Sequence, residues 1–156
     1  MPPPETGDEV VDLVLAAGHR VRRAVDEALR AGVGLTLRRF KILSLLEDAG
    51  PCRLRDLADT VRVAPRTMTE TVDGLESAGL IERRPHPADR RAVLVTLTPA
   101  GHIVLDEGRR RRSEAVTGFT RHLDQAQRSQ LAELLTSLVG SSPTARPPGS
   151  KKDGLP

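Results

Sequence analysis

The 156-residue chain contains no tryptophan, no tyrosine and only two phenylalanines, Phe40 and Phe119. That scarcity excludes nucleic-acid or sugar recognition built on stacked aromatic platforms, so any nucleic acid has to be read in another way. A single cysteine, Cys52, excludes an internal disulfide. No apolar run approaches the roughly 18 residues of a membrane span, which removes membrane-spanning readings. Met1-Pro-Pro-Pro-Glu lacks the basic-then-apolar order of a secretory leader, so a cytoplasmic location is expected. There is no glycine-rich phosphate loop, nucleophile elbow or zinc-protease helix. His19, His86, His102 and His122 have neither cysteine partners nor tight metal spacing. No enzyme activity, cofactor or metal is expected.

Lysine is also scarce. Only Lys41, Lys151 and Lys152 occur among 24 basic residues, and the other 21 are arginines. Planar, fork-shaped guanidinium groups suit bidentate contact with phosphates and guanine edges, although a coding bias would enrich arginine as well. Against 21 acidic residues the net charge is only +3, so position has to carry any electrostatic signal. Hydrophobic residues at 38% and charged residues at 29% give a globular balance, and the length favours one domain. Residues 1–7 and 140–156 read as disordered tails, since they are proline-rich and nearly devoid of apolar residues. The folded part is expected over 8–139.

Within that span, Asp8 can cap a helix in which Val11, Val14, Gly18, Val21, Val25 and Leu29 recur every three or four residues until Gly32 and Gly34. Thr36 is expected to cap a second helix that turns Leu37, Phe40, Leu43 and Leu46 inward and Arg38, Arg39 and Lys41 outward, ending at Gly50-Pro51. Leu54, Leu57, Ala58 and Val61 form the stripe of a short third helix. After the turn Arg62-Val63-Ala64, Pro65 opens a fourth, with Met68, Val72 and Leu75 buried and Gly79 beyond its end. Two short helices joined by a tight turn are a helix-turn-helix.

The period then changes to near alternation. Residues 80–84 and 92–98 read as paired strands with a long charged tip over 85–91. Pro99 starts a helix carrying Ile103, Val104, Val116 and Phe119, with Gly108 and Gly118 as weak points. A final helix near 124–139 carries Leu131, Leu134, Leu135 and Leu138. The fold class is mainly α, of the α+β type: a winged helix-turn-helix over about 36–98, flanked by helices over 8–31 and 99–139.

The fourth helix carries its own signal. Arg66, Thr67, Thr69, Glu70 and Thr71 lie opposite its apolar stripe, giving the short polar outer face that a major-groove helix requires. Glu70 is read as pairing with Arg66, or else accepting from a cytosine amino group. In the run Arg109 to Arg112, Asp106 and Glu107 are placed to pair with Arg110 and Arg111, so the run reads mainly as a salt-bridged, solvated face.

The segments Leu54-Arg55-Asp56-Leu57-Ala58, Val63 to Leu75, Ser77 to Pro85, Asp89-Arg90-Arg91 and Val93 to Gly101 together resemble the MarR family of bacterial transcriptional regulators. The likeness implies duplex DNA as partner, with the wing's Asp89 orienting Arg91 into the minor groove; Arg83, Arg84 and Arg90 are then the expected phosphate contacts. It also implies a homodimer through the terminal helices, a pseudo-palindromic operator, repression, and a small-molecule effector for which His19 and Phe40 are candidate contacts. Cys52 reads as a small apolar residue in preference to an oxidant sensor. The competing function is a winged-helix protein-interaction module without specific DNA binding.

Overall fold

The computed structural model describes residues 6–140, apart from the side chains of Arg90 and Arg91. The expected tails over 1–7 and 140–156 lie largely outside that range. Helix α1 (Gly7–Val33) is capped by Thr6, whose hydroxyl accepts the Glu9 N–H at 3.3 Å. Asp8 therefore sits in the first turn rather than at the cap, still on the side of the helix dipole that favours a carboxylate. Gly34, at φ 68°, ends the helix in the left-handed conformation that glycine adopts without a Cβ clash.

Helix α2 (Leu37–Ala49) starts at Thr36, whose hydroxyl accepts the Arg39 N–H at 3.2 Å. Asp26 of α1 adds a second, long-range cap: its Oδ1 accepts the Leu37 N–H at 2.7 Å while its Oδ2 accepts from Arg30 at 2.6 Å. A two-residue strand, β1 (Cys52–Arg53), precedes α3 (Leu54–Val61). Arg62, at φ 57°, makes the left-handed turn into α4 (Pro65–Ser77). Strands β2 (Ile81–His86) and β3 (Asp89–Leu97) follow, giving an antiparallel sheet of order β1-β3-β2. Helix α5 spans Pro99–Thr120, and α6 spans Gln125–Gly140.

The hairpin differs from its sequence reading. The expected 85–91 tip shrinks to Pro87-Ala88, because Pro85 pairs with Val93 and His86 with Asp89 across a bulge. The two prolines suggest a loop, but β2 pairs only with β3, and an edge strand tolerates a missing N–H.

Leu29, Ile42, Leu43, Met68, Val72, Leu75, Ile81, Val95 and Leu105 are fully buried, so α1, α2, α4, the sheet and α5 share one core. In α5 the inward positions are Gly101, Leu105 and Gly108, and Ile103 is 71% exposed, against the expected stripe. Gly108 is a contact point: a Cβ there would meet two ring carbons of Phe40 at 2.9 Å. Phe40 is itself core, 6% exposed. The α1 stripe divides in two, since Val25 and Leu29 are buried while Val11 and Val14 are exposed.

The chain separates into two compact units between Phe119 and Thr120. In the second, Asp124 and Gln127 cap α6 reciprocally, each backbone N–H donating to the other's side chain at 2.9 and 2.8 Å. Leu131, Leu134, Leu135 and Leu138 on α6 are all exposed.

Candidate nucleic-acid interface

Helix α4 has a sharply divided surface. Met68, Val72 and Leu75 are fully buried, whereas Arg66, Thr69 and Glu70 are exposed and Thr67 and Thr71 half-buried. Hydrophobic burial of the first three fixes the helix rotation and hence which side chains face outward. Arg66 Nε lies 3.1 Å from Glu70 Oε1, the one-turn pair read from the sequence. Both groups are well exposed, so the pair is weak and available for exchange with another partner. The Thr69 and Thr71 hydroxyls donate to the Pro65 and Thr67 carbonyls at 3.0 and 2.7 Å. In this arrangement the two threonines offer methyl groups and oxygen lone pairs outward, not hydroxyl donors.

Beside α4 lies a cleft of about 520 Å³ lined by Asp26, Arg30, Thr36, Arg38, Arg39, Thr67, Glu70 and Thr71. The Arg39 guanidinium reaches α4 at Gly74, where a Cβ would come within 2.6 Å of Nη2. Gly74 thus makes room for a cation at the flank of the helix. Hydrogen bonds from the Leu37 N–H and then from Arg30 hold the Asp26 carboxyl below the usual carboxylate range.

The wing's basic residues separate into different environments. Arg84 is 67% exposed and pairs with Glu82 on its own strand. Arg83 turns the other way and spans two carboxylates of α4, Asp73 at 2.5 Å and Glu76. Its hydrogen bond to Asp73, with the charge of Glu76, raises its pKa above the ordinary arginine value against the opposing effect of burial. Asp89 takes part in an ion pair that the sequence did not suggest, with Arg53 of β1 at 3.4 Å. The Arg90 and Arg91 side chains lie outside the described ones.

A second cavity, of about 440 Å³, lies among α1, α2 and the end of α3 and is lined by His19, Arg22, Arg23, Asp26, Leu37, Arg38, Lys41, Val61 and Val63. His19 lines it, whereas Phe40 lies in the core, 6% exposed, and does not. Within the Arg109 to Arg112 run, Arg109, Arg110 and Arg111 are salt-bridged, with one change of partner. Asp106 pairs with Arg109 at 3.1 Å rather than with Arg110, and Arg109 also reaches Glu47 of α2. Glu107 holds Arg111 at 2.8 Å and Arg110 as well. Burial, with a smaller contribution from Asp56, pushes the Cys52 thiol pKa upward, away from a reactive thiolate.

Among the described residues no helix is long and apolar enough to cross a membrane, and no cluster of three metal-ligating side chains occurs.

Comparison with known proteins gives concordant matches. The family model of the MarR family matches residues 35–93, which run from the start of α2 to the wing. An uncharacterized HTH-type transcriptional regulator of Mycobacterium bovis is 32% identical over 112 residues, covering 70% of this chain and 78% of that protein. The HTH-type transcriptional repressor YetL of Bacillus subtilis is 40% identical over 79 residues, 49% of this chain and 47% of YetL. The crystal structure of a mutant MarR from E. coli complexed with operator DNA superposes with a TM-score of 0.71 at 25% identity, covering 84% of this chain and 94% of that one. The chain belongs to the MarR family of winged helix-turn-helix transcriptional regulators.

Proposed function

We propose that this regulator binds a pseudo-palindromic operator as a homodimer, inserting α4 into the major groove and the wing into the adjacent minor groove. The observation that carries the reading is the two-sided character of α4: a stripe locked into the core by Met68, Val72 and Leu75, and an outer face of Arg66, Thr67, Thr69, Glu70 and Thr71. Arg38 and Arg39 in the neighbouring cleft, with Arg84 and Arg90 on the wing, serve as phosphate contacts. Arg91 enters the minor groove, where narrow A·T-rich tracts concentrate negative potential. That the E. coli MarR neighbour was solved in complex with operator DNA supports duplex DNA as the partner.

The exposed apolar side chains support the dimer. Val11, Leu13 and Leu15 on α1, and Leu134 and Leu138 on α6, are 47–65% exposed in the single chain. Each helix taken by itself thus offers apolar side chains for a partner to cover, and a two-fold pair would present two recognition helices one helical turn apart. Repression follows the example of YetL. For the effector, the lining of the His19 cavity combines Leu37, Val61 and Val63 with Arg22, Arg23, Arg38 and Lys41 against the single carboxylate of Asp26, a combination suited to a small organic anion.

Titration of genomic operator fragments against salt tests the reading. DNA binding through phosphates weakens steeply as salt rises; a flat or absent response would favour a module for protein contact instead.

A further inference from the structure

Adjacent arginines of the wing, Arg83 and Arg84, look equivalent in sequence, but strand alternation sends them to opposite faces of the sheet. Arg83 pairs across the ladder with Val95, 1% exposed, and shares its face with buried Ile81. That face packs toward the helices. The Arg83 guanidinium consequently ends against α4, one outer nitrogen on Asp73 at 2.5 Å and the other on Glu76. Its side chain is 29% exposed, far less than the 67% of Arg84.

The two acceptors are unusual in their own right. Asp73 and Glu76 lie toward the C-terminal end of α4, where the helix dipole is negative, and the last turn has no basic residue of its own. Two carboxylates there oppose the dipole. Arg83 supplies from the wing the cation that α4 lacks, and its rigid fork fits two acceptors three residues apart on one helix.

We propose that Arg83 is a positioning residue that fixes the wing relative to the recognition helix, so that the two reach adjacent grooves of one operator in register. This rests on the docking mode given above. The tie spans the connection between α4 and β2, and a wing free to tilt about that connection would retain its arginines yet meet the minor groove off target. Arg83 acts through geometry and does not contact the DNA.

The test measures operator and non-specific affinity together with hydroxyl-radical protection of the minor groove. It compares wild type, Arg83→Met, Arg83→Lys, and the triple variant Arg83→Met, Asp73→Asn, Glu76→Gln. Arg83→Met exposes two acids near phosphates and would weaken binding by charge alone, whereas the triple variant removes that charge and keeps the tie broken. Both are expected to lose about tenfold in operator preference, the scale of one mismatched base pair, and to lose wing protection while keeping that of the major groove. Arg83→Lys is expected to recover part of both. Wild-type behaviour of the triple variant, or unchanged wing protection in Arg83→Met, overturns the proposal. Arg91→Ala run in parallel separates the two levels: if it leaves minor-groove protection intact, the docking mode itself is wrong, and if only the Arg83 variants are silent, the positioning role alone fails.

Discussion

Arg53 Nη2 lies 3.4 Å from Asp89 Oδ2, tying the two-residue strand β1 to the tip of the wing across 36 positions of sequence. Asp89 stands two residues before Arg91. An exposed pair of this kind contributes less than about 1 kcal/mol to stability, so its consequence falls on the orientation of the hairpin tip.

Arg91→Ala is expected to weaken operator binding by more than about 1 kcal/mol, as for a specific groove contact, with circular dichroism and oligomeric state unchanged. Gel-shift titration checks it, and a variant equal to wild type removes Arg91 from the interface.

Glycines in α5 are expected to respond to alanine in opposite senses. At Gly101 a Cβ would stand 2.1 Å from the Leu80 carbonyl oxygen and 2.7 Å from Leu97 Cδ2. Backbone cannot yield there, so Gly101→Ala should lower stability by about 2 kcal/mol or more. Gly118 has nothing within 4 Å of its Cβ direction, and Gly118→Ala should raise stability by about 0.5 kcal/mol or more through helix propensity. Thermal unfolding of both variants distinguishes a packing requirement from a general glycine effect.

Asp26 gives a pH signature. A carboxyl held below its usual pKa in the folded state adds stability that is fully present above the unfolded-state value and is lost as pH falls through the folded one. Asp26→Ala should therefore cost about 1 kcal/mol near neutrality, the scale of a lost helix cap. The gap to wild type should narrow on acidification through the carboxylate range. Denaturant midpoints measured across that range would show a constant gap if the carboxylate had no such role.

Leu134→Glu, at a position 59% exposed in the single chain, should leave the fold intact and shift the protein toward monomer, with Val11→Glu on α1 acting likewise. Sedimentation velocity reads the outcome directly. If both remain dimeric, the terminal helices are not the dimer contact.

The helix order was legible because its punctuation is local. Thr36, Pro65 and Gly34 each act through their own backbone or side chain within a turn. Strand β1 was not legible, since two residues cannot display alternation, and its pairing of Cys52 with Val95 spans 43 positions. The length of the wing was misread for a related reason. Pro85 looks incompatible with a strand until the sheet order shows that β2 is an edge strand, where a proline is tolerated. Of the candidate site, the outer face of α4 could be read from period alone. The different fates of Arg83 and Arg84 depend on strand register and on acids from another element, which no local pattern reports.

The uncovered first turns of α1 have a further consequence for how such a regulator responds to its own abundance. If their apolar side chains are buried only in a pair of chains, the DNA-competent species grows as the square of free monomer at low expression. Small changes in synthesis or degradation would then be amplified at the promoter, and a steep dose response would follow from the assembly step, before any effector or cooperative DNA contact is considered.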